Sequence, residues 1–275
     1  MKTKTGVKAI VFLGGGRITN ALVAGLRLAK YGKPILVHDR NPGKLRQLKR
    51  QYAVAVELSL QRAVEQAKLL LIAVRPDSVS DLLLEIAKLE KEKPRRPLML
   101  VSLAAGVPLS KLRARLPSPA RWARAMPSPV CRSGRGLTAL TFDSTFSRTA
   151  RRGVKDFFAE VGSVLEIPES QFDVFTATFS SSHGYHTLAA LAASAQRLGL
   201  NREIAMTAAA HALADGILSW RESKTPLTEL LHEAATPGGT AAAAMKAMDS
   251  SGYGRSIRQG LRAGIARARQ NAKRA

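Results

Sequence analysis

The chain has 275 residues, with 43 Lys or Arg against 20 Asp or Glu, for a formal net charge of +23. Its length suits one large α/β domain or two smaller ones, and 45% hydrophobic content excludes a disordered, purely polar chain. The single cysteine, Cys131, excludes an intramolecular disulfide framework and a cysteine-rich metal site, so no metal is expected and a reducing, cytoplasmic location fits.

The opening Met1-Lys2-Thr3-Lys4-Thr5-Gly6 runs straight into an apolar segment, which predicts no secretory signal. Residues 9–13 read as a buried strand, broken by Gly14-Gly15-Gly16 and followed by an amphipathic helix over about 18–30. A short strand follows at 34–38, then a turn at 39–43 and a helix from 44 to 51. Residues 69–74 are an unbroken apolar run closed by Arg75-Pro76. Residues 98–103 read as another buried strand, ending in Ala104-Ala105-Gly106. Further strand signals lie near 121–125, 137–142 and 162–167. This alternation predicts a Rossmann-type, doubly wound, mostly parallel sheet.

From about Glu169 the texture changes to Ala/Leu-rich helices over 187–198, 203–219, 227–233, 241–248 and 255–270. The expected boundary lies near Pro168, giving a dinucleotide-binding domain over 1–168 and a helical dimerisation and substrate domain over 169–275. The helical half is alanine-rich and thin for a solitary core, which points to a homodimer or a larger ring of dimers. No apolar run is long enough to span a bilayer, so no membrane association is expected. Positive charge is densest in Arg255, Arg258, Arg262, Arg267, Arg269, Lys273 and Arg274. Without interleaved aromatic residues this tail reads as a solvated helix face, and nucleic acid is not the expected partner.

A strand, a glycine turn and a helix in that order can lay a pyrophosphate on backbone N–H groups at the helix start. Gly14 permits the tight turn and Gly16 lets the main chain approach the phosphates, while Thr19 stands where the third glycine of the fingerprint would be. After the second strand, Asp39 is placed to bond a ribose 2′-hydroxyl, which favours NAD. Arg40 and Asn41 follow at once and suit a 2′-phosphate. Both dinucleotides stay open, with Arg40 and the positive field favouring NADP.

Several segments together resemble the pyrroline-5-carboxylate reductase family. The glycine turn Phe12-Leu13-Gly14-Gly15-Gly16-Arg17-Ile18 is one, and Ala73-Val74-Arg75-Pro76 matches that family's Ala-Val-Lys-Pro strand end. Ser102-Leu103-Ala104-Ala105-Gly106-Val107 is similar to its Ser-Ile-Ala-Ala-Gly-Val. Arg124-Ala125-Met126-Pro127-Ser128-Pro129-Val130 answers Arg-x-Met-Pro-Asn-Thr-Pro. Thr236-Pro237-Gly238-Gly239-Thr240-Ala241 answers Ser-Pro-Gly-Gly-Thr-Thr and is followed by Gly252-Tyr253.

The resemblance spans the chain and implies reduction of a cyclic imine to L-proline by a nicotinamide dinucleotide, NADP or alternatively NAD. Cofactor contacts are then expected at Gly14, Gly16, Arg17, Ile18, Asp39, Arg40, Asn41, Ala73, Val74, Arg75, Pro76, Ala104, Ala105 and Ser128. Substrate contacts are expected at Met126, Pro127, Pro237, Gly238, Gly239 and Thr240. The chain departs from the pattern at Ser128-Pro129, at Ala241, and over 179–186, where His183 and His186 stand. Those departures motivate two alternatives, a reductase of another imine or carbonyl acid and a catalytically silent dinucleotide-binding regulator.

Reducing a cyclic imine needs a hydride beside the C=N carbon, a proton on nitrogen and an anchor for the carboxylate. Gly238-Gly239, leading into a helix, suits the anchor through free N–H groups, and Thr240 is the candidate catalytic hydroxyl, unless it merely caps that helix. His183, Tyr185 and His186 are the titratable cluster available for protonation. The alternative is a helix start capped by Ser181 or Ser182. His211 and His232 read as helix residues without a chemical partner, and Cys131 as a buried thiol.

Overall fold

The computed structural model describes residues 8–92, 97–117 and 119–274; the opening hexapeptide and the side chain of Arg274 lie outside this description. Eight strands, β1 (Ala9–Leu13), β2 (Ile35–His38), β3 (Ala55–Glu57), β4 (Ala67–Ile72), β5 (Met99–Ser102), β6 (Arg121–Pro127), β7 (Gly136–Phe142) and β8 (Gly162–Glu166), form one sheet in the order β3-β2-β1-β4-β5-β6-β7-β8. Every neighbouring pair is parallel except β6 and β7. The expected doubly wound, mostly parallel sheet is present.

β1 is apolar throughout because both of its faces are covered. Ile10 and Phe12 join a core with Leu22, Leu26, Phe157 and Phe158. Val11 and Leu13 join a second core with Leu70, Ile72, Leu83 and Trp122. The connecting helices are α1 (Arg17–Leu28), α2 (Pro42–Tyr52), α3 (Leu60–Gln66), α4 (Val79–Glu92), α5 (Leu109–Arg115) and α6 (Arg148–Ala159). The chain leaves β1 for β2 on one side and returns to β4 on the other. At such a reversal the loops diverge, and a crevice opens at the carboxyl ends of the strands.

One glycine inside a helix is dictated by packing. A Cβ on Gly25 of α1 would overlap the carbonyl oxygen of Cys131, so α1 lies directly against the short 3-10 turn Pro129–Ser133. That turn follows the Met126-Pro127-Ser128 segment.

Helix α7 (Glu169–Thr178), which the sequence did not announce, continues this unit. Contacts gather the described residues up to Phe179 and from Gly264 onward into one compact unit and Ser180–Ala263 into another. The second holds α8 (Ser181–Arg197), α9 (Arg202–Ser223), α10 (Leu227–Ala234), α11 (Thr240–Ser250) and the first half of α12 (Tyr253–Arg274). Helix α8 starts six residues before the expected 187, because the Ser180 side chain accepts the Ser182 N–H at 3.4 Å. The cap is therefore Ser180, neither Ser181 nor Ser182. Similarly, Gly239 is the N-cap of α11 and Thr240 its first helical residue. Among the described residues, no helix is long and apolar enough to cross a membrane.

Alanine is intrinsically the better helix former by about 1 kcal/mol, so Gly25→Ala in a slack helix would stabilise. Against the Cys131 carbonyl, we expect a loss of about 1–3 kcal/mol in chemical denaturation with an unchanged m-value. A gain in stability would mean that α1 and the 129–133 turn are not in close register.

Candidate active site

The carboxyl end of β1 gathers the glycine turn into a fixed shape. Gly14 adopts φ +114°, and a Cβ there would lie 2.7 Å from the Ala73 carbonyl oxygen, so any side chain would force β1 and β4 apart. Its N–H donates to the His38 carbonyl at 2.7 Å, tying the turn to β2 as well. Thr19, fully buried, donates its hydroxyl to the Gly14 carbonyl at 2.5 Å. The missing third glycine is thus replaced by a side-chain hydrogen bond that holds α1 to the turn.

Gly16 is the N-cap of α1, and nothing lies within 4 Å of where its Cβ would be. No side chain caps α1, and its first turn contains no acid but carries Arg17. A cation at the positive end of a helix dipole is unfavourable by itself and favourable beside an anion. Open N–H groups beside a cation are an arrangement that suits an anion.

At the neighbouring strand end, Asp39 is bonded within the protein. Its Oδ2 accepts the Gly15 N–H at 2.7 Å, its Oδ1 accepts the Asn41 N–H at 2.8 Å, and Lys44 Nζ lies 3.5 Å away. Burial pushes this carboxyl up, but the Asn41 and Gly15 N–H groups and the Lys44 charge outweigh it and hold it below the usual carboxylate range. Asn41 is also occupied, since its Oδ1 caps α2 by accepting from Gly43 and Lys44 N–H at 2.8 and 3.3 Å. Arg40 is exposed and has no ion-pair partner among the described residues.

These loops line a cleft of about 820 Å³. It brings together Gly14, Gly16 and Arg17 from the first loop, Asp39, Arg40 and Asn41 from the second, and Ala73, Val74 and Arg75 beyond β4. His38, Lys44 and Glu85 also line it without having been anticipated. Lys44 was detectable: Asn41 before Pro42 is an N-cap followed by proline at the first helical position, which starts α2 two residues earlier than expected.

The remaining expected cofactor contacts lie outside that lining. Ile18 packs against the first core, and Pro76 opens a 3-10 turn. Ala104 is buried and donates its N–H to the Ser102 hydroxyl at 3.3 Å. Ala105 follows it, next to Gly106, whose φ of +79° and close approach to the Ala268 carbonyl leave no space for a side chain. Ser128 is buried, its hydroxyl accepting the Val130 N–H at 3.2 Å. Met126 and Pro127 close β6 opposite Ala139 and Thr138.

Arg124, two residues before Met126, is 2% exposed. It pairs with Glu169 at 3.1 Å and Asp173 at 3.5 Å, with its guanidinium 4.3 Å from the centre of the Phe172 ring. It clamps α7 onto β6.

In the second unit, Pro237 and Gly238 lead into Gly239, whose N–H donates to the Thr236 carbonyl at 2.9 Å. Gly238 has φ +79°, and no side chain caps α11, so its first N–H groups stay open, with Thr240 exposed beside them. His183, Tyr185 and His186 are exposed on the first turns of α8. His211 does have a partner, contrary to expectation: its Nδ1 lies 2.8 Å from Asp215 Oδ2, one helical turn away. His232 sits in the last turn of α10. Cys131 is buried, and that burial pushes its thiol up to about 12, far from a reactive thiolate. Among the described residues, no three His, Cys, Asp or Glu side chains are grouped to hold a metal.

A doubly wound sheet with a glycine turn at its switch point and an uncapped helix behind it is the build of a nicotinamide-dinucleotide oxidoreductase. Comparison with known proteins narrows the class. Residues 169–271 match the family model described as "Pyrroline-5-carboxylate reductase dimerisation", and residues 9–106 match "NADP oxidoreductase coenzyme F420-dependent". The pyrroline-5-carboxylate reductase of Mycobacterium leprae is 31% identical over 266 residues, covering 88% of this chain and 90% of that one. A solved pyrroline-5-carboxylate reductase from Coxiella burnetii superposes with TM-score 0.85 at 24% identity, covering 97% of this chain and 99% of that one. A Plasmodium falciparum pyrroline carboxylate reductase with NADP bound superposes with TM-score 0.83 at 20% identity, covering 97% and 100%. The chain belongs to the pyrroline-5-carboxylate reductase family and is an oxidoreductase.

Thr19→Val keeps the shape and removes the hydroxyl, leaving the Gly14 carbonyl without that donor. We expect a loss of about 1–3 kcal/mol in chemical denaturation. An unchanged midpoint would mean that Thr19 does not hold the turn.

Proposed function

We propose that this protein reduces 1-pyrroline-5-carboxylate to L-proline, with NADPH as hydride donor. Family membership across nearly the whole length carries this reading, supported by the anion seat and exposed Arg40 in the cleft. The residues fit the cofactor: Gly14 cannot carry a Cβ, Gly16 leaves open space, and α1 lacks a cap. The turn and α1 take the pyrophosphate, Arg40 and Asn41 the adenosine end, and Ala73–Pro76, Ala104, Ala105 and Ser128 the remainder. When bound, the reduced nicotinamide supplies a hydride to the C=N carbon.

The protein's own share is positioning. The open N–H groups at the start of α11, with Pro237, Gly238 and Gly239, anchor the substrate carboxylate, and the helix dipole favours that charge. Thr240 offers its hydroxyl at the same helix start, and we assign Met126 and Pro127 to the substrate as apolar contacts. An imine already protonated in solution requires no acid from the protein; otherwise His183, Tyr185 or His186 supplies the proton. A second reading, reduction of a different imine or carbonyl acid, is favoured by Ser128, whose hydroxyl is engaged with Val130, and by Ala241, which has no hydrogen-bonding side chain.

We take residues 1–168 as the dinucleotide-binding domain and 169–275 as the dimerisation domain, assembled as a dimer or a ring of dimers. Burial supports assembly: in the unit Ser180–Ala263, the buried residues are Ala192, Ala205 and Ala209, while Leu198, Ile204, Ile217, Trp220 and Met248 are exposed.

The direct test is loss of NADPH absorbance, with appearance of L-proline, on adding 1-pyrroline-5-carboxylate. NADPH binding without turnover would overturn the assigned substrate. Arg40→Ala should raise the KM for NADPH by about tenfold or more and leave NADH nearly unchanged, the value of a charge-assisted phosphate contact. Equal loss for both would remove Arg40 from the 2′-phosphate.

A further inference from the structure

Asp39 ends β2, where an acid in a doubly wound sheet ordinarily meets the adenosine ribose. Here its carboxylate is already engaged. Oδ2 accepts the Gly15 N–H at 2.7 Å and lies 3.5 Å from Lys44 Nζ, while Oδ1 accepts the Asn41 N–H at 2.8 Å. The side chain is 13% exposed, and a Cβ on Gly15 would approach Oδ2 to 3.4 Å, so the glycine turn lies directly over it. Gly15 and Asp39 are 24 residues apart, and this bond ties the first loop of the cleft to the second.

We propose that Asp39 is a positioning residue: it fixes the glycine turn against the end of β2 and takes no part in holding the ribose, so that dinucleotide choice falls to Arg40 and Lys44. The inference rests on reading the cleft as a dinucleotide site. Two consequences follow from the geometry. An ionised carboxylate has about four acceptor positions and three are taken here, so gripping both ribose hydroxyls would cost Asp39 one of its present donors, the half-buried Gly15 N–H among them. Two N–H donors and the Lys44 ammonium also offset the carboxylate charge, so the acid need not repel a 2′-phosphate nearby. The depressed pKa agrees, since the ionised form is the one these groups hold. Charged side chains facing the same cleft are Arg17, Arg40, Lys44 and Arg75 against Asp39 and Glu85, a balance that suits an additional phosphate.

Asp39→Ala and Asp39→Asn, each checked for folding by thermal unfolding, separate this role from ribose recognition. The probes are NADPH and NADH, titrated for binding and followed in steady-state kinetics with 1-pyrroline-5-carboxylate. We expect Asp39→Ala to raise the KM for both dinucleotides by a similar factor of about ten, with kcat largely retained, because a misplaced turn weakens binding of either. Asp39→Asn should recover part of that loss, since its amide oxygen can still accept one N–H, and it decides the matter if the alanine variant unfolds. Selective loss of NADH, with NADPH unchanged or improved, would overturn the proposal, and so would unchanged KM values for both. If the unsubstituted protein binds neither dinucleotide, the functional reading itself fails and this inference falls with it.

Discussion

The geometry of the cleft depends on what surrounds Gly14 and Gly15. Between them these two residues bond to His38, Thr19 and Asp39, and Gly14 presses on Ala73 closely enough to exclude a side chain. Three strand ends and one helix start are thereby held by a single turn. Because β1 is buried on both faces, the turn is mounted on the least deformable part of the sheet. The open helix start at Gly16 suits an anion only because its neighbours are pinned. A loop free to adopt many shapes would lose conformational entropy on ordering around each ligand, and this one is ordered beforehand.

Most of the sheet was legible in the sequence. β1 is an unbroken apolar run, and β4 and β5 are apolar apart from Lys68 and Ser102, because both faces are covered; a run of that kind bounded by Gly or Pro has few other readings. β3 was not legible: it is an edge strand of three residues, Ala55–Glu57, one exposed and two half-buried, with no periodicity to detect. Helix α7 escaped notice because its Phe172 and Phe175 lie between weak helix formers. The site divided similarly. Gly14 and Gly16 were readable because a glycine turn between strand and helix has a local signature. The bonding of Asp39 was not, because its partner Gly15 is distant in sequence and only the fold brings them together. The role of Thr19 was hidden for a related reason, since its hydroxyl performs by hydrogen bonding what the fingerprint assigns to close packing.

The two units bury their residues very differently. The sheet unit contains two apolar cores with large side chains, including the fully buried Trp122, Phe12 and Phe158. In the helical unit, burial falls on alanines alone, although Leu, Ile, Met and Trp are available on the same helices. Alanine permits close approach of α8 and α9 but removes little apolar area from water. The larger side chains remain outward, as they would in a unit whose core is completed by another surface. The match of residues 169–271 to a dimerisation family model has a physical counterpart in that distribution.

The departure from the family pattern at Ala241 carries less weight once the open starts of α1 and α11 are compared. Both α1 and α11 begin at a glycine N-cap, both lack a side-chain cap, and neither has an acid in its first turn. By contrast, α2, α3 and α6 are capped by Asn41, Ser59 and Ser147, which leaves fewer free donors at their starts. A seat formed by backbone N–H groups does not change when a neighbouring side chain changes, because every non-proline residue supplies the same donor. Ala241 removes a hydroxyl from the start of α11 but leaves its N–H groups and dipole intact. In the proposed site, carboxylate anchoring is therefore the part most resistant to substitution. What Ala241 does not offer is a side-chain hydrogen bond to substrate in the proposed site, which depends on where a hydroxyl stands.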